Sequence, residues 1–587
     1  MATDIPSLLG VNGLALQAER VEQVSVDGAL TVRSLWGVGK MNVGSARDTK
    51  PVPVVEMTRT IFPSRSLPLM CEHYVLRNVG RKPLAVYIPE FSQVVTTDPA
   101  KGVAGSYVVR GDLAGSGTFM LVPADSLAFD AVFQAYRSGE EPLRPDVAAE
   151  YAARMEFVHG CIDANLVLET PDPVIDTEFR YAKLRAAESI IETRGGYMHA
   201  PGGESYYAAV WANDQAEYVN PFFPFLGYGT GNESALNSFR HFARFMNPGY
   251  EPLPSSIIAE GDDIWNGAGD RGDAAMIACG AARYALARGS RAEAEELWPL
   301  IEWCLEYCRR KLTADGVVAS DTDELEGRFP TGEANLCTST LYYDALLSAV
   351  PLGRELGVRP TVTARYAAEA GALAKAIDAH FGGEVGGYDT YRYYDGNTLL
   401  RSWICMPLIV GLRERCEGTV RALLSPELLT DDGLLTEQGG ATFWDRSTLY
   451  ALRGIYNAGY ADRATEMLHR YSQRRLLGDH VPYPIEAWPE GSQRHLSAES
   501  GLYCRIVTEG LFGIRPAGLR SFDLTPGMPS AWERMSLRRI RAFDADFDIS
   551  VGREVGGKLR ITVMQAGKKP KIYRAAPGAT IRVKLTD

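Results

Sequence analysis

The feature that most constrains the fold of this chain is a change in hydrophobic period near residue 165. Before this point, apolar residues alternate with a period of two in stretches such as QVSVDGALTVRSLWGV and HYVLRNVGRKPLAVYIPEF. Turn residues separate these stretches at the intervals typical of antiparallel strands. The pattern predicts an antiparallel β-sandwich domain of seven or more strands over residues 1–165.

Residues 172–513 show the helical period instead, in stretches such as DAAMIACGAARYALAR and STLYALRGIYNAGYADRATEMLHRY. The second stretch holds two helices with a break near Gly459, and the region holds about ten helices in all. Long polar loops alternate with short ones, as expected of six α-hairpins around a central cleft. This region is therefore predicted to be an (α/α)6 barrel, with long loops at 193–229, 248–270, 314–336, 382–398, 426–445 and 477–496.

Strand patterning returns after residue 514, in LRSFDLTPGMPSAWERMSLRRIRAFDADFDISV and ATIRVKL. We expect a small β domain over residues 514–587 that caps the last helices. The fold class predicted for the whole chain is multidomain α+β, with a β-sandwich, a helical barrel and a small C-terminal β domain.

The composition argues against several classes of function. The chain has 587 residues, a formal net charge of -12 and no cluster of Lys and Arg, so a nucleic-acid groove is not expected. Its nine cysteines lack zinc-ligand spacing and are expected to be buried thiols. No apolar stretch reaches the length of about 18 residues that a membrane span needs. The first residues lack the basic segment of a signal peptide, so a cytoplasmic location is expected, with periplasm or secretion as the alternative if a signal was removed.

The six long loops are rich in carboxylates and aromatic rings. Carboxylates and amides bind sugar hydroxyls, and the C–H faces of a pyranose stack on Trp and Tyr. Glycosidic cleavage needs one protonated and one ionised carboxyl group, and like charges in a cleft raise the pKa of one of them. The loops therefore predict a sugar-cleaving site. The richest segments are VWANDQAEYVNPFFPFLGYG, AEGDDIWNGAGDRGD, SDTDELEGRFPTGE and YPIEAWPEGSQRHLSAES.

Each of these features has a structural alternative. Asp270 and Asp273 are candidates for capping the helix DAAMIACGAARYA. The aromatic run YVNPFFPFLGYG favours hydrophobic packing over a sugar platform. The acids of EGDDIWNGAGDRGD lack the spacing of an EF-hand calcium loop, so no metal is expected there.

Three loop segments resemble motifs of the glucoamylase family of glycoside hydrolases and its relatives with an (α/α)6 barrel. VWANDQ resembles the Trp-x-Arg-Asp segment of that family, with Asp214 in the sugar-holding position and Asn213 where the family has Arg. GAGDRGDAAM is similar to the Gln-x-Asp-Gly helix entrance, with Asp273 in the acidic position. DTDELEGRFPT is similar to the Trp-Glu-Glu loop, although Asp323 stands where the family has Trp.

The resemblance implies that DTDELEGRFPT supplies the general acid. Alignment on Asp321 selects Glu324, whereas alignment on Gly327 selects Asp323. Glu326 is a third candidate because the loop is one residue shorter than in the family. We favour Glu324, and we expect Glu326 to bind substrate if it is not the acid.

The resemblance also selects a general base. In the family this residue is a Glu that lies eleven residues before the Ser-Ala pair opening the last inner helix, and Glu486 lies at that distance from Ser497 and Ala498. By the same comparison, Glu490 is a loop charge. Glu499 is then a first-turn helix residue stabilised by the helix dipole.

The sequence thus predicts an exo-acting or oligosaccharide-directed glycoside hydrolase that inverts the anomeric configuration. Glu324 would protonate the glycosidic oxygen and Glu486 would activate water, with the two carboxyl groups roughly 6.5 to 9.5 Å apart. This chemistry needs neither a metal nor another cofactor, and the sugar, its linkage and the oligomeric state stay open. The other predicted site residues hold hydroxyls or stack on sugar rings: Asp214, Arg271, Asp273, Glu326, Trp211, Trp265 and Trp488.

Other reactions stay open because the three-domain architecture also resembles α-L-rhamnosidases and the maltose- and cellobiose-phosphorylase families. A phosphorylase needs a phosphate pocket, for which Arg494 and His495 beside Ser497 are candidates. A non-catalytic glycan-binding protein is a further alternative. A polysaccharide lyase would need a Tyr or His base, and the candidates are Tyr206, Tyr391 and His199.

Overall fold

The computed structural model describes residues 4–38, 52–102, 105–200, 208–258, 261, 263–477, 482–488 and 497–586. The chain forms two compact units, residues 1–161 and residues 162–587. The first unit is built mainly from strands, and the second is built from helices with smaller sheets.

The first unit is organised around one large antiparallel sheet. Its strands are β1 (Gly10–Val11), β2 (Leu14–Val26), β3 (Leu30–Val38), β4 (Pro53–Pro63), β5 (Leu69–Asn78), β6 (Leu84–Ile88), β7 (Ser92–Thr96), β8 (Tyr107–Ala114), β9 (Gly117–Leu121) and β10 (Ser126–Arg137). They pair in the order β7-β8-β10-β5-β4-β3-β2-β1-β6-β9. Two helices accompany the sheet, α1 (Ile5–Leu8) and α2 (Val147–Phe157).

This sheet curls so that distant strands face each other. Tyr74 and Leu76 of β5 share one buried core with Leu84 and Val86 of β6. Four strands separate β5 from β6 in the sheet order. In a flat sheet they would therefore lie about 24 Å apart, so a shared core requires curling. The predicted antiparallel strands are confirmed, and the alternation that predicted them is the alternation of buried and exposed residues along β6.

The second unit contains twelve described α-helices, interrupted by short 3-10 and π-helical segments. They are α3 (Pro173–Glu188), α4 (Phe223–Leu226), α5 (Gly229–Ala243), α6 (Asp273–Arg288), α7 (Arg291–Arg310), α8 (Leu336–Glu355), α9 (Pro360–Phe381), α10 (Met406–Val410), α11 (Cys416–Leu423), α12 (Asp445–Asn457), α13 (Ala461–Leu477) and α14 (Ala498–Arg505). Two π-helical segments, Ala212–Val219 and Ile506–Leu511, and the 3-10 segment Ser402–Cys405 complete them.

Six of these segments contact one another in a closed ring, which we call the inner ring. Its members in order are the π-helical segment Ala212–Val219, α6, α8, Ser402–Cys405 with α10, α12 and α14, which contacts Ala212–Val219 again. In α6 every residue from Asp273 to Ala287 is buried, as expected of a helix that is covered on all sides. Helices α3, α5, α7, α9, α11 and α13 pack on the outside of this ring.

One carboxylate joins three members of the inner ring. Glu509, in the π-helical segment that follows α14, accepts hydrogen bonds from Arg283 of α6 at 3.1 Å, Arg453 of α12 at 2.9 Å and Arg505 of α14 at 2.5 Å. Burial by itself would raise the pKa of Glu509, but the three guanidinium groups lower it to about 2. The ring is therefore held by charge as well as by apolar packing.

The prediction of a loop over residues 193–229 is wrong for most of the range, because strands and helical segments form there. The predicted helix before it ends at Glu188, and Ile190–Thr193 forms a strand, β12, that pairs with β13 (Gly196–His199). β-Branched residues favour this strand, and the Gly pair at 195 and 196 favours its turn. Further on, β14 (Ala209–Trp211) leads into the π-helical segment Ala212–Val219, which is buried throughout.

Short strands connect the helices of the second unit, and longer ones follow them. The short strands are β15 (Ser256–Ile258), β16 (Asp263–Trp265), β17 (Gly382–Val385), β18 (Tyr388–Tyr391), β19 (Leu429–Thr430), β20 (Gly433–Leu434), β21 (Phe443–Trp444) and β22 (Ala487–Trp488). The longer strands are β23 (Ile514–Gly518), β24 (Ser521–Leu524), β25 (Arg534–Ile540), β26 (Phe547–Arg553), β27 (Leu559–Gln565), β28 (Lys571–Ala575) and β29 (Ile581–Lys584).

The strands expected after residue 514 are present, but their sheet has an additional member. The strand β11 (Val167–Glu169), which precedes the helices, pairs with β25 and so joins β26, β27 and β28 in a five-stranded sheet. The remaining strands, β23, β24 and β29, form a separate three-stranded sheet. The predicted domain boundary at 513/514 stays a prediction.

The described residues also bear on the cysteine and membrane predictions. All nine cysteines are free thiols, and seven of them are buried. Burial raises the pKa of the Cys304 thiol, as expected of an inert thiol in an apolar interior. Across the part of the chain that is described, no helix combines the length and apolarity needed to cross a bilayer.

We predict that Gly280→Ala destabilises the second unit. A Cβ atom at Gly280 of α6 would lie 1.7 Å from the backbone oxygen of Ala216, so the inner ring would have to move apart. Overpacking of this kind typically costs about 1 to 3 kcal/mol. Gly371→Ala is the matched control, because Gly371 is exposed in α9 with nothing within 4 Å of an added Cβ atom. Calorimetry should give a lower unfolding midpoint for the first variant only; equal midpoints would contradict the close approach.

Candidate active site

The loop that holds the predicted acid is fixed to the start of α6 by backbone hydrogen bonds. The carbonyl oxygen of Asp270 accepts the N–H groups of Asp321 and Thr322 at 2.8 and 3.0 Å. In return, the Asp321 carboxylate accepts the N–H of Asp270 at 2.9 Å. The Tyr307 hydroxyl donates to the Asp270 carboxylate at 2.6 Å. These contacts keep residues 323–326 close to the entrance of α6.

Two of the three acid candidates are occupied by other contacts. Asp323 is buried and accepts the Tyr393 hydroxyl at 2.6 Å, with Arg401 at 4.0 Å. Glu326 is partly exposed and lies 3.4 Å from the guanidinium groups of both Arg271 and Arg328. Each carboxyl group therefore has a structural or ion-pairing role.

Glu324 differs from its two neighbours. Its side chain is buried, and neither carboxyl oxygen has a hydrogen-bond partner among the described residues. Burial raises the pKa of Glu324 well above its ordinary value, and the nearby carboxyl groups of Glu217 and Asp214 raise it further. The charge of Arg446 opposes the shift, as does the nearby indole N–H of Trp403, which does not reach hydrogen-bond geometry. A protonated carboxyl group at neutral pH is what a proton donor requires.

The π-helical segment Ala212–Val219 carries two more buried acids. Burial raises the pKa of Asp214 to about 8 and that of Glu217 to about 7. The Tyr450 hydroxyl donates a short hydrogen bond to Glu217. Gln215 fixes the start of the segment, because its side chain accepts the N–H of Trp211 and donates to the carbonyl oxygen of His199.

Arg446 of α12 is the cation of this acidic site. Its guanidinium group lies 2.6 Å from Glu499 and 3.5 Å from Asp214, and it is 2% exposed. Burial by itself would lower the pKa of Arg446, but the negative charges of Glu499 and Asp214 raise it above its ordinary value. The guanidinium carbon lies 5.1 Å from the centre of the Trp444 ring and 5.2 Å from that of the Tyr218 ring.

Sequence reasoning underestimated Glu499 and did not select Arg446 or Glu217 as site residues. Glu499 does lie in the first turn of α14, but its carboxyl group is fully buried against Arg446 rather than exposed at a helix end. The available signal was the Asp-Arg pair directly after the aromatic residues of TFWDR, which places a cation at the entrance of a buried helix.

The predicted base, Glu486, precedes the strand β22. This strand pairs with β21, and the Glu486 carbonyl oxygen accepts the N–H of Asp445 at 3.3 Å. Glu486 is half-buried. Its charge raises the pKa values of both Asp214 and Arg446, so Glu486 and Glu324 adjoin the same cluster. The Trp488 side chain and all of Glu490, Arg494, His495 and Tyr206 lie outside the described residues.

A second group of predicted site residues forms one wall. The Trp211 and Trp265 rings lie 5.2 Å apart between centroids at an angle of 50°, and the Arg271 guanidinium carbon lies 5.3 and 6.0 Å from them. Arg271 also pairs with Asp273 at 2.9 Å and donates to Asn213 at 3.3 Å. The charge of Arg271 lowers the pKa of Asp214, which links the wall to the cluster.

The structural alternatives for these loops have mixed outcomes. Helix α6 has Gly272 at its N-cap with no side-chain cap, because Asp273 instead accepts the N–H of Arg271 and the Ser255 hydroxyl. The aromatic run after Glu217 packs in the interior, as predicted: Phe222, Phe223 and Phe225 are buried.

The lyase candidates within the described residues are poor bases. His199 is fully buried, which lowers its pKa to about 3 with a contribution from the charge of Arg185. Burial raises the pKa of the Tyr391 hydroxyl. A histidine that stays neutral and a tyrosine that resists ionisation are both suited to packing.

We predict that Glu217→Gln changes the pH dependence of stability. The pKa of Glu217 rises from an ordinary value of 4.5 to about 7 on folding. The stabilisation that this group contributes is therefore complete below its unfolded pKa and is lost as the pH rises through about 7. The variant removes that loss, which is about 3 kcal/mol.

Unfolding midpoints of parent and variant at about pH 5 and about pH 9 test this prediction. The variant should lose less stability than the parent across the range. Glu233→Gln is the control, because Glu233 is exposed on α5. Parallel curves for parent and Glu217→Gln would contradict the shifted titration.

Comparison with known proteins supports the fold. No protein-family model matches this chain, and no curated protein matches it in sequence. Solved structures do match it. A sialidase is 11% identical with a TM-score of 0.55, over 95% of this chain and 61% of its own length. The chain thus spans less than two thirds of that protein.

Two further structures match over most of both chains. A bacterial glucoamylase complexed with acarbose is 10% identical with a TM-score of 0.54, over 84% of this chain and 85% of its own. A human-microbiome protein provisionally named a kojibiose phosphorylase is 8% identical with a TM-score of 0.53, over 95% and 84%. At such identities the likeness concerns the fold alone. The protein therefore resembles the glucoamylase-like glycosidases in fold, as its sequence motifs predict.

Proposed function

We propose that this protein is a glycoside hydrolase that cleaves an oligosaccharide or glycoside with inversion at the anomeric carbon. The observation that carries the proposal is Glu324, a buried carboxyl group without a hydrogen-bond partner among the described residues. Its pKa is raised, and it shares one charge cluster with the half-buried Glu486. One neutral and one ionised carboxyl group are the pair that glycosidic cleavage requires.

The proposal includes the architecture of the helical region. The inner ring and the six helices outside it are the arrangement of six α-hairpins, which supports an (α/α)6 barrel over residues 172–513. Residues 1–165 would form the N-terminal β-sandwich and residues 514–587 the C-terminal β domain. The candidate acids then stand where segments from several hairpins meet.

The two carboxyl groups have distinct tasks in the proposed reaction. Glu324 gives its proton to the glycosidic oxygen as the bond to the anomeric carbon breaks. Glu486 takes a proton from a water molecule that attacks the opposite face of the sugar. Inversion needs room for that water, so the carboxyl groups should lie roughly 6.5 to 9.5 Å apart.

The neighbouring residues would bind the sugar. Asp214, whose pKa burial raises to about 8, can bind a sugar hydroxyl through its carboxyl oxygens. Trp265 is the more exposed ring of the aromatic wall and offers a face for a pyranose, with Trp211 behind it. Arg271, Asp273, Glu326 and Trp488 complete the proposed binding set.

The choice of substrate follows from the groups on this wall. Hydroxyl-binding carboxyl groups beside aromatic rings suit a neutral or weakly charged sugar. Acarbose, the ligand of the matched glucoamylase, is a suitable first probe because its rings carry many hydroxyl groups. Aryl glycosides of several sugars are suitable first substrates.

We predict that Glu486→Gln and Glu324→Gln each lower turnover about 100-fold or more on a substrate that the parent hydrolyses, because each removes one half of the acid–base pair. Glu333→Gln is the matched control, because Glu333 lies exposed in the loop that follows Glu324. Activity of Glu486→Gln within about tenfold of the parent would refute the base assignment.

The stereochemistry of the product tests the reaction class. Proton NMR of the first-formed sugar should show the anomer opposite to that of the substrate. The same assay with inorganic phosphate distinguishes phosphorolysis, which would release a sugar 1-phosphate. Retention of configuration, or a product that depends on phosphate, would contradict inverting hydrolysis.

A further inference from the structure

Glu486 is held by a residue that the proposed reaction does not use. Asp445 is the first residue of α12 and is 2% exposed. Its carboxylate accepts the N–H of Ile485 at 2.6 Å, and its own N–H donates to the carbonyl oxygen of Glu486 at 3.3 Å. Asp445 thus binds the backbone on both sides of the Ile485–Glu486 peptide bond. The contact lies directly after β21, which ends at Trp444, and directly before β22, which begins at Ala487.

An arginine from the outside of the inner ring fixes Asp445. Arg475 of α13 is 2% exposed and donates to the second carboxylate oxygen of Asp445. Asp445 is the one carboxylate at ion-pair distance from Arg475 among the described residues. Burial raises the pKa of Asp445 to about 6 despite this cation, so the carboxylate depends on Arg475 to stay ionised.

A third buried group lies near this pair and differs from it. Glu178 of α3 is fully buried, and neither of its oxygens has a hydrogen-bond partner among the described residues. Burial raises the pKa of Glu178 well above its ordinary value, and the charge of Arg475 opposes this shift. Burial thus favours the neutral form of Glu178, and Arg475 forms its ion pair with Asp445 instead.

We propose that Asp445 and Arg475 are positioning residues that hold the backbone of Glu486, and with it the carboxyl group of the general base, at the working distance from the substrate. This inference rests on the proposed function for the role of Glu486. Its structural part, that the ion pair fixes residues 485 and 486, stands on the contacts alone.

Positioning of this kind affects chemistry more than binding. A base must lie within hydrogen-bond reach of the attacking water, and a displacement of about 1 Å can cost about 100-fold in rate. The proposed sugar-binding residues Trp265, Arg271 and Asp273 belong to other segments, so loosening of residues 485–486 leaves them in place. The backbone of Trp488 is held separately by the pairing of β22 with β21. The expected signature is a lower kcat with a nearly constant KM.

The test compares Asp445→Asn, Arg475→Met and the two substitutions combined on the full chain. Each single variant should lower kcat roughly 10- to 100-fold and change KM less than about threefold. The kcat of the combined variant should be no lower than that of the less active single variant, because the two residues act as a unit. Arg475→Lys keeps the charge and should recover part of the activity lost in Arg475→Met.

Glu178→Gln is the matched control, since glutamine resembles the neutral form that burial favours at this position near Arg475. It should keep kcat within about twofold of the parent. Independent losses that multiply in the combined variant, or an Asp445→Asn variant as active as the parent, would overturn the proposal. So would a KM that rises as much as kcat falls.

Hydrogen exchange separates this inference from the proposed function. In Asp445→Asn, peptides covering residues 482–488 should take up deuterium faster than in the parent, while peptides from α6 stay unchanged. If Asp445→Asn folds poorly, Arg475→Lys gives the same comparison with a smaller perturbation. A parent without activity on any glycan would refute the proposed function. Unchanged exchange at residues 482–488 would refute the inference that Asp445 and Arg475 hold the backbone of residues 485 and 486.

Discussion

The buried guanidinium of Arg446 is the interaction on which the candidate site depends. Asp214 and Glu499 lie at ion-pair or hydrogen-bond distance from it, and the charges of Glu324 and Glu486 also act on it. Burial raises the pKa values of Asp214 and Glu324, and the charge of Arg446 opposes this shift at both groups. Arg271 adds to the opposing charge at Asp214. In the proposed reaction, the difference between proton donor and proton acceptor would rest on this balance.

The contacts of each carboxyl group affect its protonation more than the type of side chain does. Asp323, Glu324 and Glu326 are close in sequence, but one is held by Tyr393, one has no partner among the described residues and one lies against two arginines. Only the second is free to change its protonation without breaking a structural contact. Asp323 is equally buried, so the absence of a hydrogen-bond partner among the described residues, rather than burial alone, distinguishes Glu324.

Much of the fold was readable from local patterns, whereas the charge partners were not. The stretch DAAMIACGAARYALAR is helical from Asp273 to Arg288 as predicted, and Gly459 breaks the next predicted pair with a left-handed backbone. Motif spacing brought Asp214, Arg271 and Asp273 to one region. Arg446, however, meets Asp214 across 232 residues of sequence, and such pairing leaves no periodic trace. The strand at Ile190–Thr193 was missed because it continues a helical apolar pattern without a break.

The joint at Glu509 limits how this chain can change. Because one carboxylate serves Arg283, Arg453 and Arg505, loss of Glu509 leaves Arg453 and Arg505 without an ion-pair partner among the described residues, whereas Arg283 keeps Asp344. Loss of any one arginine leaves the other two paired with Glu509. Glu509 is thus harder to substitute than any one of its arginine partners. Replacing the whole cluster by neutral residues would need several simultaneous substitutions. We expect strong epistasis among these four positions: in a library of variants, tolerated changes at the arginines should occur singly, and changes at Glu509 only in combination.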